Sequence, residues 1–448
     1  MKKIFVDCSY VYENPTTNTG IQRVVRRVIE NFKPLSTEYD IEIVPVSIVN
    51  GYFIEIDPKK LALVTKSDIP LNKSLKPSIK NYIVGIYNAL KNLIVSILPF
   101  EGVNSFMRRP KEEFGFNYII YYLLIKHIFT IKGLFKKRKK DIISNVTINR
   151  GDILLLLDSS WHMDIWDSIK FFQSNGGDVT AVIYDLIPIT HSNFCDINLP
   201  RIFKKWFLTS IDYVDSYITI SDTVKKDLIK YLKDENYDIT KKRFDYFLLG
   251  GDFTYNNESD NIKYMLPKIF KSKPTYLIVS TIEPRKNHKY LLDVFEILWK
   301  SNIDINLAII GKVGWRVEEF MHNMYNHKEF NKRLFILSDI NDKELLYAYK
   351  NAKMLLFPSI VEGFGLPIVE SLSNGLPVLA SDTPIHREVG GDKIGYFDIS
   401  NPENLVEKIV DIEKNGIPKS LTVDKDYKWL DWRDSSKMLL EKVIKINS

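Results

Sequence analysis

Hydrophobic residues along the chain fall into short unbroken runs separated by longer stretches with helical spacing. Lys3–Val6, Ile41–Val46, Ile153–Leu157, Thr180–Tyr184, Tyr217–Ile220 and Phe244–Leu248 predict one series of strands. Thr275–Val279, Asn306–Ile310, Leu334–Leu337, Met354–Phe357 and Pro377–Ala380 predict a second. Strands that are apolar on both faces need cover on both. The intervening segments can supply it: Ile21, Val24, Val25, Val28 and Ile29 fall on one face of the first helix. This alternation predicts α/β architecture with parallel, doubly wound sheets. Two series on either side of about residue 260 predict two such domains, with Gly250–Lys273 as the linker between them.

The region 51–145 breaks the rhythm and reads as an insertion in the first domain. Ile83, Ile86, Leu90, Ile94 and Ile97 share a helical face, and Phe114–Ile125 is uncharged and aromatic-rich. A basic run, Lys136-Lys137-Arg138-Lys139-Lys140, follows. Amphipathic apolar segments beside a basic cluster suit an anionic membrane surface, so 81–140 is a candidate membrane contact. Packing on the protein's own core, with the basic run as a solvated face, is the alternative.

Composition narrows the setting. The 448 residues are 45% hydrophobic and 26% charged with a net charge of +6, which excludes disorder or coiled coil as the main state. Two cysteines, Cys8 and Cys195, exclude a disulfide framework and a cysteine-based zinc site, and they fit a cytoplasmic protein. Asp7 interrupts any signal-peptide core, and no stretch reaches the roughly 18 uncharged apolar residues of a membrane span. The basic run adjoins aliphatic helices instead of interleaving with stacking aromatics, which argues against a nucleic-acid partner.

The strongest chemical signal is Glu362-Gly363-Phe364-Gly365-Leu366-Pro367-Ile368-Val369-Glu370, directly after a predicted strand. It reads as strand, glycine loop and helix start, with Pro367 suited to the first helical position. Gly363 and Gly365 let the backbone approach a ligand, and amides around Gly365 and Leu366 would face an anion. Glu362 in the loop and Glu370 in the first helical turn flank that anion site. The pairing suits a nucleotide sugar, with one acid for sugar hydroxyls and one for ribose hydroxyls.

These nine residues resemble the E-x7-E motif of retaining glycosyltransferase family 4. That resemblance implies the GT-B fold, two Rossmann-like domains facing across a cleft. Val279-Ser280-Thr281-Ile282-Glu283-Pro284-Arg285-Lys286-Asn287 is similar to the segment that opens the family's donor domain. It implicates Arg285 and Lys286 in holding the donor diphosphate; many members carry an arginine at the position of Thr281. Gly311–Trp315, Pro358-Ser359, Ser381-Asp382 and Glu388 also fit the pattern. Trp432–Ser436 resembles the start of the helix that crosses back to the first domain. The implied divisions are 1–255 for the acceptor, 256–428 for the donor and 429–448 for that helix.

In the first half, Thr19-Gly20-Ile21-Gln22-Arg23-Val24-Val25-Arg26 resembles the acceptor-side loop and helix of enzymes that build bacterial surface polysaccharides, some of them mannosyltransferases. Asp185, in Tyr184-Asp185-Leu186-Ile187-Pro188, ends a predicted strand where open α/β sheets place ligands, and the resemblance puts it near the reacting centre. His191 is an acceptor-side candidate, although a lone histidine, like His162, is more often a packed or capping residue. Ser221 reads as a plain helix N-cap.

The resemblance as a whole implies a retaining, metal-independent transfer of a sugar, mannose as first choice, from a nucleoside-diphosphate donor to a saccharide or lipid-linked saccharide. Glu362, Lys286 and Asp185 would carry the chemistry, and no cofactor is expected. A non-catalytic nucleotide-sugar-binding subunit and a GT-B phosphorylase or epimerase are the alternatives.

Overall fold

The computed structural model describes residues 2–17, 20–49, 52–63, 146–252, 262–263 and 265–447. The first part of the chain forms β1 (Lys2–Asp7), α1 (Ser9–Glu13), α2 (Gly20–Glu38), β2 (Ile41–Val49) and β3 (Tyr52–Glu55). After residue 145 come β4 (Ile153–Leu156), α3 (Trp166–Ser174), β5 (Asp178–Ile183), α4 (Ile187–Thr190), α5 (Leu199–Tyr213), β6 (Ser216–Thr219), α6 (Asp222–Asp234) and β7 (Arg243–Tyr246). Their strands form one sheet in the order β3-β2-β1-β4-β5-β6-β7, parallel except for β3.

The second part forms α7 (Met265–Ser272), β8 (Thr275–Val279), α8 (His288–Lys300), β9 (Asn306–Ile310), α9 (Glu318–Tyr325), β10 (Leu334–Leu337), α10 (Asp342–Asn351) and β11 (Met354–Phe357). It closes with α11 (Leu366–Ser373), β12 (Val378–Ser381), α12 (Pro384–Gly390), β13 (Gly395–Phe397), α13 (Pro402–Asn415) and α14 (Trp432–Ile446). This sheet, ordered β10-β9-β8-β11-β12-β13, is parallel throughout.

The strands form where unbroken apolar runs can be covered on both faces: Ile153–Leu156 and Met354–Phe357 are fully buried. On α2 the buried set Val24, Val25, Val28, Ile29, Phe32 and Leu35 repeats at helical spacing against the first sheet. Each sheet winds one way from its first strand and then reverses. The first turns back between β1 and β4, the second between β8 and β11. The loops that leave these strand pairs at their carboxyl ends are thereby set side by side, which is where open α/β sheets hold ligands.

The structure departs from the sequence reading in three places. The short strands β3 and β13 are additional, and β3 is antiparallel to β2. The linker stretch is not all loop, because Met265–Ser272 is helical with Leu266, Ile269 and Phe270 buried. Residues 64–145, most of the proposed insertion including its basic run, lie outside the described residues, as does Thr19.

Residues 1–63 and 144–448 form one compact unit. The chain that leads into α14 runs along the end of the first sheet: Gly251 N–H donates to the Leu430 carbonyl at 3.0 Å, and Trp429 Nε1 to that of Leu249 at 2.7 Å. The helix α14 then packs on α2 and β7. Asn447 donates to Thr180 Oγ1 at 2.9 Å, and Lys437 pairs with Glu38 at 2.7 Å. Among the described residues no helix is long and apolar enough to cross a membrane.

Candidate active site

The reversal between β8 and β11 sets the loop 280–287 beside the loop 358–365. Arg285 Nη1 lies 2.7 Å from Glu362 Oε2, and its Nη2 lies 2.7 Å from Glu283 Oε1. Lys286 Nζ pairs with Glu362 Oε1. A backbone bond fixes the register of the two loops, with Ile360 N–H donating to the Arg285 carbonyl at 2.8 Å. Asn287, in the left-handed conformation at φ 56°, ends this loop and starts α8.

Electrostatics follow from this packing. Burial alone would raise the Glu362 carboxyl, but Arg285 and Lys286 outweigh it and hold it far below the ordinary carboxylate range. Burial and the adjoining Arg285 charge lower the Lys286 ammonium. Burial raises Glu283 against the pull of Arg285. Behind Lys286, burial pushes His288 down to about 3, so its ring is neutral.

The helix α11 begins at Gly365, whose φ of 107° is left-handed, and no side chain caps it. Its first amides are therefore available to an anion. Glu370 sits in the second turn, not the first, and is 4% exposed. Its carboxylate meets Arg23 Nη2 at 2.9 Å and the Tyr349 hydroxyl at 2.8 Å. Beside Gly365, His386 donates from Nδ1 to the Ser381 carbonyl at 2.8 Å, which leaves its buried Nε2 an acceptor without a partner.

The first half of the chain completes one wall. Asp185 follows β5, accepts from Ile187 N–H at 2.9 Å, and is raised by burial while Arg285 draws it back. A Cβ on Gly363 would stand 3.1 Å from Asp185 Cβ, so the glycine loop rests on this strand end. Ser221 caps α6 through Val224 N–H at 3.1 Å and also donates to the Gly363 carbonyl at 3.0 Å, so it is more than a cap. Glu388 of α12 accepts from the Asp222 and Thr223 amides, both at 2.7 Å.

Of the residues singled out in the sequence, Asp185, Arg285, Lys286, Glu362 and Gly363 thus come together, with Gly365 and Leu366 at the adjoining helix start. Phe364 turns into the core against the Trp429 ring, 6.2 Å between centroids, so only its backbone faces the loop. Thr281 is exposed beside Gly314. Gly20 opens α2, and His191 pairs with Thr190 and stacks on Phe194. His162 is exposed and meets Tyr10 edge-on. Arg23, Tyr349 and His386 carried no sequence signal for the contacts they make here, nor did Ser221 for its bond to Gly363, because each gains its partner only through the fold.

Comparison with known proteins bears on the family and the fold. Residues 266–427 match the family of glycosyl transferases group 1. The serotype-specific mannosyltransferase WbdA of Escherichia coli is 28% identical over 309 residues, 66% of this chain and 37% of that protein. The O-antigen chain mannosyltransferase RfbU of Salmonella typhimurium is 24% identical over 52% of this chain and 61% of its own length. This chain therefore spans little more than a third of the first of these relatives. The crystal structure of Anabaena Alr3699/HepE in complex with UDP and glucose superposes with a TM-score of 0.51 at 12% identity, over 100% of this chain and 97% of that one. A glycosyltransferase structure from Rickettsia africae gives 0.51 at 14% identity, over 100% and 94%. The architecture is GT-B.

Proposed function

We propose that this chain, whose residues 266–427 form a glycosyl transferases group 1 domain, transfers a sugar from a nucleoside-diphosphate donor to a glycan in bacterial surface-polysaccharide synthesis. The observation that carries the reading is the Arg285–Glu362–Lys286 cluster beside the uncapped start of α11. The buried Lys286, the half-buried Arg285 and helix amides converge where a diphosphate would sit, with carboxylates for the sugar alongside. The names of the mannosyltransferase relatives favour mannose, and hence GDP-mannose, as the donor.

In this mechanism the diphosphate lies against the Gly365 and Leu366 amides and draws on Lys286 and Arg285. Lys286 commits one of its three donors to Glu362 and keeps two for phosphate oxygens. Glu362 receives sugar hydroxyls, and Glu370 receives the ribose hydroxyls. The bond from the anomeric carbon to the diphosphate oxygen breaks as the acceptor oxygen bonds on the same face. The acceptor proton passes to the departing phosphate oxygen. Charge grows on the leaving group in the transition state, where Lys286 and the amides meet it, so no metal is required. Asp185, across the cleft, would orient the acceptor hydroxyl. Retention follows from same-face attack. The 81–140 stretch would hold the enzyme at an anionic membrane surface near a lipid-linked acceptor.

A panel of GDP-, UDP- and dTDP-sugars, with release of the nucleoside diphosphate measured with and without saccharide acceptors, tests the reading. Acceptor-dependent release from one sugar nucleotide, GDP-mannose first, is expected. Binding without turnover of any donor would mark a nucleotide-sugar-binding subunit instead.

A further inference from the structure

The second acid of the motif does not stand free. Its carboxylate is nearly enclosed and is held at both oxygens, Oε1 by Arg23 Nη2 at 2.9 Å and Oε2 by the Tyr349 hydroxyl at 2.8 Å. Tyr349 belongs to the same half of the molecule. Arg23 does not, since it sits one turn into α2, which packs on the first sheet. That turn is pinned. Arg26 donates to the Thr17, Pro15 and Leu61 carbonyls at 2.6, 3.0 and 2.9 Å, and Gln22 donates to Ser159 Oγ at 3.0 Å. The guanidinium is therefore presented to Glu370 by a fixed element, not by a loose surface chain.

An ionised carboxylate offers about four lone-pair sites, two on each oxygen. Arg23 and Tyr349 occupy one on each, in fixed directions, so one on each remains. Two acceptor sites on neighbouring oxygens suit a vicinal diol, whose two hydroxyls each donate one hydrogen bond. A charge-assisted partner also holds the enclosed group in one rotamer.

We infer that Arg23 is a positioning residue for donor recognition: reaching over from α2, it fixes the Glu370 carboxylate so that its free lone pairs meet the ribose diol. This rests on the assignment of Glu370 to the ribose. It makes nucleotide reading a joint property of both halves. The diol is held well only while α2 and α11 stand together, so the donor that completes the site also favours the closed arrangement.

The test compares GDP and UDP, whichever the wild-type chain binds more tightly, with its 2′,3′-dideoxy counterpart by calorimetry. The wild type should prefer the diol by roughly ten- to a hundredfold, the range for hydrogen bonds to a charged group. Arg23→Ala should reduce that preference to within about threefold while leaving the dideoxy affinity nearly unchanged, and Arg23→Lys, which keeps the charge without the fork, should fall between. Glu370→Ala should abolish the preference. If Arg23→Ala melts earlier yet keeps the full diol preference while Glu370→Ala loses it, Arg23 is only a tie between halves and the inference fails alone. If Glu370→Ala also keeps the preference, or the wild type shows none or binds neither diphosphate, the ribose assignment falls and takes the inference with it.

Discussion

Gly363 lies so near Tyr184 that a Cβ added to it would stand 2.4 Å from the Tyr184 carbonyl oxygen. In the sequence this glycine reads as room for a ligand. In the structure it is room for the other half of the molecule, since the same loop also accepts from Ser221 and rests on Asp185. Backbone atoms cannot rotate aside as side chains do.

Gly363→Ala should therefore force the loop off the β5 end. Overpacking of this kind costs about 1–3 kcal/mol, a fall of about one to three degrees in Tm for a chain of this size. Turnover should drop with it. An unchanged melting curve would show that the contact yields freely.

Lys286→Ala should lower turnover more than donor affinity. On the proposed mechanism the ammonium would meet charge that grows as the diphosphate leaves, and loss of one such donor costs about 10²–10³ in rate. Glu362→Gln should impair turnover while nucleoside diphosphate still binds. Equal losses in kcat and in nucleotide affinity for both variants would place the pair in ground-state binding only.

Most of the fold was legible because parallel strands advertise themselves. Thr275–Val279, Asn306–Ile310, Leu334–Leu337 and Met354–Phe357 are apolar on both faces, and the structure has strands with those same bounds. Gly395–Phe397 is three residues long at a sheet edge, and Tyr52–Glu55 carries a mixed pattern beside Gly51, so neither offered a buried run to read. The loops bearing Arg285 and Glu362 were legible as motifs. Their ion pairs were not, because only the strand order β9-β8-β11-β12 brings the two loops together. Arg23 stood in the sequence only as one residue of the acceptor-side segment Thr19–Arg26, and nothing local to α2 points to Glu370.

On the proposed mechanism chelation should leave turnover unchanged, since Lys286, Arg285 and the α11 amides would supply the positive charge. Activity that disappears with chelator and returns with a divalent ion would contradict that division of labour.

Stability should fall with pH through Asp158. Burial, then the neighbouring Asp7 charge, pushes this carboxyl up to about 7. An aspartate in the unfolded chain titrates near 4, so the folded state holds a proton that the unfolded chain has released. The contribution is complete below about pH 4 and is lost as the pH rises to about 7. Asp158→Asn should lessen the decline, read from urea unfolding at pH 5 and pH 8. An unchanged slope would remove Asp158 as its source.

In the proposed reaction a sugar leaves its diphosphate and joins an acceptor on the same face, in a site built from Lys286, Glu362 and the start of α11. The direct measurement is the proton NMR spectrum of the first-formed product from GDP-α-mannose, or from whichever sugar nucleotide supports transfer, recorded before the anomers can equilibrate. Same-face transfer predicts a product with the donor's own anomeric configuration. A product of inverted configuration would contradict it.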